Sequence, residues 1–234
     1  MYMNAIPSKA FAEIAISKDD VFAFQKDFLA YCETVRQQNL PEENMTFEVQ
    51  LLRGETIEAL DQSSTDNILS LLKLLPHGPI KMIPTKPDLV ETSTNLGDIE
   101  IQGDQVIIKS SNRSSDDESM ETLKKIQKNI GSIFGFGVSY GDKYPSWQPY
   151  EDSKLLSLAK EVYADLYGNE FKSTVIHAGL ECSYIVDKYG KTKECISIGP
   201  TIKNPHTGAE RLQASTVVDF YNAVANLLIK IFAK

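Results

Sequence analysis

The sequence predicts an α+β layer, an antiparallel sheet with helices on one face, followed by an α/β portion. Three observations predict it. Apolar residues alternate in several short runs of the first 145 residues. Helical stripes separate those runs, and turn residues join some neighbours directly. After Pro145-Ser146-Trp147-Gln148-Pro149 strands and helices alternate one for one, which suits a doubly wound sheet.

The elements follow in order. Phe11-Ala12-Glu13-Ile14-Ala15-Ile16 alternates and predicts a strand. Asp19 and Asp20 cap a helix with Val21, Phe24, Phe28, Tyr31 and Val35 on one face, and Pro41 stops it. Phe47-Glu48-Val49-Gln50-Leu51 alternates again as a second strand. Thr65 or Asp66 opens a helix through Leu75, closed by Pro76-His77-Gly78-Pro79. Leu89 to Leu96 and Asp98 to Ile101 are extended, and the turn Gly103-Asp104 leads into Val106-Ile107-Ile108 as a hairpin. Asp116 and Asp117 open a helix carrying Leu123, Ile126, Ile130 and Ile133, and Phe136 to Tyr140 follows as a short strand. The later portion reads as a helix from Ser153 to Tyr167, a strand from Ser173 to His177, a short helical stretch, a strand from Cys195 to Ile198 and a final helix. That helix repeats Val217, Phe220, Val224, Leu227 and Ile231 on one stripe. Two strands cannot form a doubly wound sheet alone, so this portion is expected to be incomplete, with an edge needing further strands.

Composition excludes some functions. The 234 residues are 42% hydrophobic and 24% charged, ordinary for a folded chain, and carry a formal charge of -8. That balance speaks against nucleic acid, which wants clustered Lys and Arg. No apolar run approaches the length needed to span a bilayer, so no membrane partner is expected. The opening Met1-Tyr2-Met3-Asn4-Ala5-Ile6-Pro7 lacks the basic and apolar regions of a signal peptide. Cys32, Cys182 and Cys195 are odd in number and lack CxxC spacing, so reduced thiols in a cytoplasmic protein are expected. His77, His177 and His206 form no HExxH arrangement.

Five segments, in order, resemble the aminoacyl-histidine (Xaa-His) dipeptidases, relatives of carnosinase and aminoacylase. They are Asn4-Ala5-Ile6-Pro7, Val90-Glu91-Thr92-Ser93-Thr94-Asn95-Leu96-Gly97, Tyr144-Pro145-Ser146-Trp147-Gln148-Pro149, Ile176-His177-Ala178-Gly179-Leu180-Glu181-Cys182, and Ser197-Ile198-Gly199-Pro200-Thr201-Ile202 running on to Pro205-His206. The resemblance implies a di-zinc metallopeptidase fold, an α/β catalytic domain interrupted by an inserted lid. Residues 1–145 would be the later part of the lid, which often carries dimer contacts and so admits a homodimer. Residues 146–234 would be the returning C-terminal part of the catalytic domain. The family's HxD pair, its further acidic ligands and its Glu-Glu general base match nothing here. The chain is therefore expected to be a C-terminal half, inactive alone, whose parent hydrolyses dipeptides with metal-activated water. The rival expectation is a non-catalytic, lid-type dimerisation module.

The resemblance assigns roles to four residues, each with a plainer alternative. His206 aligns with the family's last zinc ligand, and would otherwise be an exposed loop histidine. Thr207 stands where the family usually has serine, and Glu210 fits the acidic residue that commonly follows. Arg113 stands where lids of this superfamily place an arginine that grips the C-terminal carboxylate of a dipeptide, or else it is a solvated turn residue beside Asp116 and Asp117. Asn4 reaches an active site in relatives, or else it closes a turn before Pro7. Glu181 is placed to attract the α-ammonium of a dipeptide, or else it faces a helix dipole for about 0.3–1 kcal/mol. His177 is read as a packed strand residue, His77 as a surface turn residue, and Trp147 as a packing anchor.

Overall fold

The structure is a computed structural model that describes residues 6–40, 42, 44–52, 58–141, 145–147, 152–168, 171–175, 177, 180–190, 194–205 and 207–233. It divides into two units: 7–73, and 74–234 together with the first six residues. The smaller unit holds α1 (Val21–Gln38) and all but the last residue of α2 (Gln62–Leu74). Asp20 does stand at the N-cap of α1, but its side chain makes no capping bond. The buried residue of α1 is Cys32 and that of α2 is Leu71.

The larger unit is built on a three-stranded antiparallel sheet in the order β1-β2-β3: β1 (Gly78–Ile83), β2 (Lys86–Gln102) and β3 (Gln105–Ser114). The β2–β3 hairpin turns at Gly103-Asp104, as the sequence predicts. Gly103 has φ +61°, a conformation that a side chain would strain. α3 (Asp117–Ile133) lies against β3. Asp116 caps it by accepting from Ser119 N at 2.8 Å, and Asp117 and Glu118 face the positive end of the dipole. At its far end Phe136 N donates to Gly131 O, and a Cβ on Gly131 would lie 2.6 Å from Val138 Cγ2. A side chain at Gly131 would have to displace that of Val138.

α4 (Lys154–Tyr167) and α6 (Ser215–Phe232) pack together around Ala159, Val162 and Leu227, with Leu155, Leu158, Phe171, Ile196 and Ile198 closing the cluster. Ser153 caps α4 through Leu156 N, and Glu194 adds a second cap by accepting from Leu155 N at 2.7 Å and Ser153 Oγ at 2.9 Å. Those bonds hold the Glu194 carboxyl below the usual carboxylate range. α5 (Glu181–Tyr189) comes between them, and the short β4 (Ile202–Lys203) and β5 (Arg211–Leu212) pair antiparallel before α6.

Several expectations change. Among the described residues no strand forms at 11–16, 47–51, 136–140, 173–175 or 195–198, and no parallel pairing follows Trp147. Alternation marks a stretch able to lie in a sheet, but a strand needs a neighbour to take its N–H and C=O groups. No described segment supplies one there, and residues 11–16 are exposed throughout. Conversely, β1 begins at Gly78, inside the Pro-Gly cluster read as a loop. Pro79 fits because this is an edge strand of the sheet.

Candidate functional site

Strand geometry separates the two faces of the β2–β3 hairpin. Its register pairs Thr92 with Ser114, Ser93 with Arg113 and Thr94 with Asn112. Side chains alternate along a strand, so Thr92 and Thr94 share one face with α3 while Ser93 points from the other. The α3 side is polar. Thr92 Oγ1 lies 2.8 Å from Ser114 Oγ, and Thr94 Oγ1 donates to Asn112 Oδ1 at 2.7 Å. Asn112 and Gln127 of α3 exchange amide bonds, with Asn112 Nδ2 donating at 2.7 Å and Gln127 Nε2 returning one at 3.0 Å. Glu91, also buried, accepts from Ser119 Oγ and pairs with Lys81 at 2.8 Å. Buried polar groups are tolerable only when satisfied in this way, and such a network fixes one register between helix and sheet.

The opposite face carries the candidate site. Ser93 Oγ lies 2.6 Å from His177 Nε2, and Arg113 Nη1 donates to the His177 carbonyl at 3.2 Å. Two adjacent residues across the hairpin thus hold one residue of the segment ahead of α5. His177 is half-buried, and burial pushes its imidazole below the ordinary range. The Arg113 charge adds to that shift, and a hydrogen bond with the Val90 backbone opposes it. A neutral ring has one donor and one acceptor nitrogen, so Ser93 can face either partner. Arg113 sits in a partly buried strand end rather than in a solvated turn. Glu181 is the first residue of α5, four positions after His177, and is exposed.

The structure therefore brings Arg113 to the His177 segment that leads to Glu181. Asn4 and His206, the other two residues singled out by the sequence, lie outside the described residues. His177 is packed as expected, though not in a strand. His77 is exposed as expected, and its Nδ1 accepts from Leu96 N at 3.0 Å. Trp147 is partly buried. Sequence reasoning missed Ser93 as a partner of His177, although alternation within Val90–Gly97 separates it from the Thr92 and Thr94 face. It also missed the capping role of Glu194.

Among the described residues no group of three or more His, Cys, Asp and Glu is placed to hold a metal ion.

The structure is similar to the crystal structure of aminoacylhistidine dipeptidase from Vibrio alginolyticus, with a TM-score of 0.75 and 25% identity, covering 91% of this chain and 43% of that one. In sequence the chain is 30% identical over 232 residues to the cytosol non-specific dipeptidase of Escherichia coli K12, covering 99% of this chain and 47% of that protein. The fold is also shared with aminopeptidase PepT from Bacillus cereus, with a TM-score of 0.54 and 18% identity, covering 70% of this chain and 44% of that one. No family model matches the chain. The resemblance drawn from the five segments is borne out, and the chain fits the C-terminal half of such a dipeptidase. It spans about half the length of the relatives it matches. No helix among the described residues is long and apolar enough to cross a membrane.

Proposed function

We propose that this chain is the lid-and-C-terminal portion of a zinc-dependent cytoplasmic dipeptidase that hydrolyses Xaa-His and other dipeptides. Likeness over 99% of the chain to a dipeptidase carries the reading. Residues 1–145 are the later part of the lid, and residues 146–234 the returning part of the catalytic domain. Arg113 grips the C-terminal carboxylate of the substrate, Glu181 attracts its α-ammonium, and Asn4 contributes from the lid. His206 is this chain's one ligand to a pair of zinc ions, whose chemistry when bound would be to polarise the scissile carbonyl. The remaining ligands and the general base come from sequence that matches the relatives' other half, so the chain alone does not catalyse. The bond from Arg113 to the His177 carbonyl, four positions before Glu181 in sequence, supports the reading.

Exposed apolar residues support it further. Val218, Tyr221, Ile229 and Phe232 of α6 are 63–79% exposed, more than a helix otherwise packed on α4 would leave to water. In the complete enzyme the other half of the fold, or the second copy of a homodimer, covers them. The reading is tested by replacing the corresponding half of the Escherichia coli dipeptidase with this chain and assaying Xaa-His hydrolysis with zinc. Turnover supports it, and a folded, zinc-loaded chimera without turnover refutes it.

A further inference from the structure

The short β4–β5 hairpin carries two cations on one face. Lys203 and Arg211 stand directly opposite each other across its antiparallel pairing, and Ile202 and Leu212 form the next pair. Opposed residues project from the same face with Cβ atoms about 5 Å apart, where like charges repel and weaken the pairing. Both side chains are exposed. Among the described residues neither has an ion-pair partner, the adjacent Glu210 included. Elsewhere Arg36, Lys81, Lys109, Lys124 and Lys230 each pair with an acid, as a chain with 32 acidic and 24 basic residues readily allows. Lys203 and Arg211 open instead onto a cleft of about 350 Å³ that Leu212 and Gln213 also line. Gln213 N donates to Thr201 O at 2.9 Å, and Gln213 Nε2 donates to Ser215 Oγ at 3.2 Å. That leaves the side-chain amide a second N–H to offer.

We propose that Lys203 and Arg211 form a binding site for a small oxyanion, a phosphate or carboxylate group. The arginine fork takes two oxygens through parallel N–H bonds, and the lysine ammonium meets the anion as a point charge. The second Gln213 amide hydrogen adds a neutral donor. An anion between the two cations replaces their repulsion with two attractions. The cleft volume is at the lower end for small-molecule sites, which run from about 300 Å³ upward. It therefore suits a metabolite-sized anion, not a protein or nucleic-acid surface. The residues between Lys203 and Arg211 include His206, but the oxyanion site needs no metal. It goes beyond the dipeptidase reading and does not depend on it.

The test uses the full chain in zinc-free buffer at constant ionic strength. It is titrated with inorganic phosphate, and separately with acetate, while backbone amide resonances are followed. Saturable shifts are expected at Ile202, Lys203, Arg211, Leu212 and Gln213. Lys203→Gln and Arg211→Gln should each weaken binding about tenfold, the loss of one charge-assisted bond, and Lys203→Arg should retain it. Lys172→Gln, at an exposed lysine that does not line the cleft, should bind as wild type does. Tighter binding of phosphate than of acetate would assign the site to a phosphate group, and the reverse to a carboxylate. Shifts that rise without saturation, that map elsewhere, or that survive both glutamine variants unchanged would each overturn the proposal.

Discussion

Ser93 Oγ meets His177 Nε2 at 2.6 Å, joining residues 84 positions apart. With Arg113 on the His177 carbonyl, the antiparallel hairpin is fastened at one point to the segment that leads into α5. In the proposed enzyme this point joins lid and catalytic portion, and it should be measurable in stability.

Ser93→Ala removes the side-chain partner of a half-buried imidazole. The expected loss is about 1 kcal/mol of unfolding free energy, the usual net worth of such a bond. Urea titration of both chains would show it. Equal midpoints and slopes would mean that the contact contributes nothing.

His177 gives the fold a pH dependence of defined sign. Its folded pKa is lowered, so the unfolded chain binds more protons in the region below the ordinary histidine value. Stability from this group is present above about 6.5, the unfolded value, and is lost as pH falls below it and through the lowered folded value. Denaturation midpoints from pH 7.5 to 5 should fall less steeply in His177→Gln than in wild type. Parallel profiles would place the acid sensitivity elsewhere.

The polar seam between α3 and the sheet predicts a non-additive pair. Gln127→Leu leaves Asn112 and Thr94 without their amide partner in a buried place, at a cost of about 1–3 kcal/mol. Adding Asn112→Leu should recover part of it, because the pair is removed together. A double variant as unstable as the sum of the two singles would contradict the reciprocal bond.

Arg113→Lys, made within the chimera, should lower kcat/KM for dipeptides roughly 10- to 100-fold, since an ammonium cannot reproduce a two-pronged grip on a carboxylate. A dipeptide amide, lacking that carboxylate, should be hydrolysed alike by both. An equal fall on both substrates would make Arg113 a structural residue that acts through His177.

Local signals were legible in the sequence, and distant ones were not. Gly103-Asp104, the Asp116 cap and the helices at Ser153 to Tyr167 and at the end of the chain each rest on signals within a few residues, and each forms where its residues predict. Phe11 to Ile16 failed as a strand because alternation says nothing about whether a neighbouring strand exists. Ser93–His177 and Asn112–Gln127 join distant parts of the chain through single polar atoms, for which no periodicity gives a sign. The family resemblance singled out Arg113 as a substrate-binding candidate, and its hold on His177 emerged only in three dimensions.

Turnover by the chimera tests the central claim most directly. This chain, fused in place of the matching half of the Escherichia coli dipeptidase and loaded with zinc, should hydrolyse Xaa-His dipeptides, while His206→Ala in the same chimera should bind less zinc and lose turnover. A chimera that folds and binds zinc, yet hydrolyses nothing or is indifferent to His206→Ala, would contradict it.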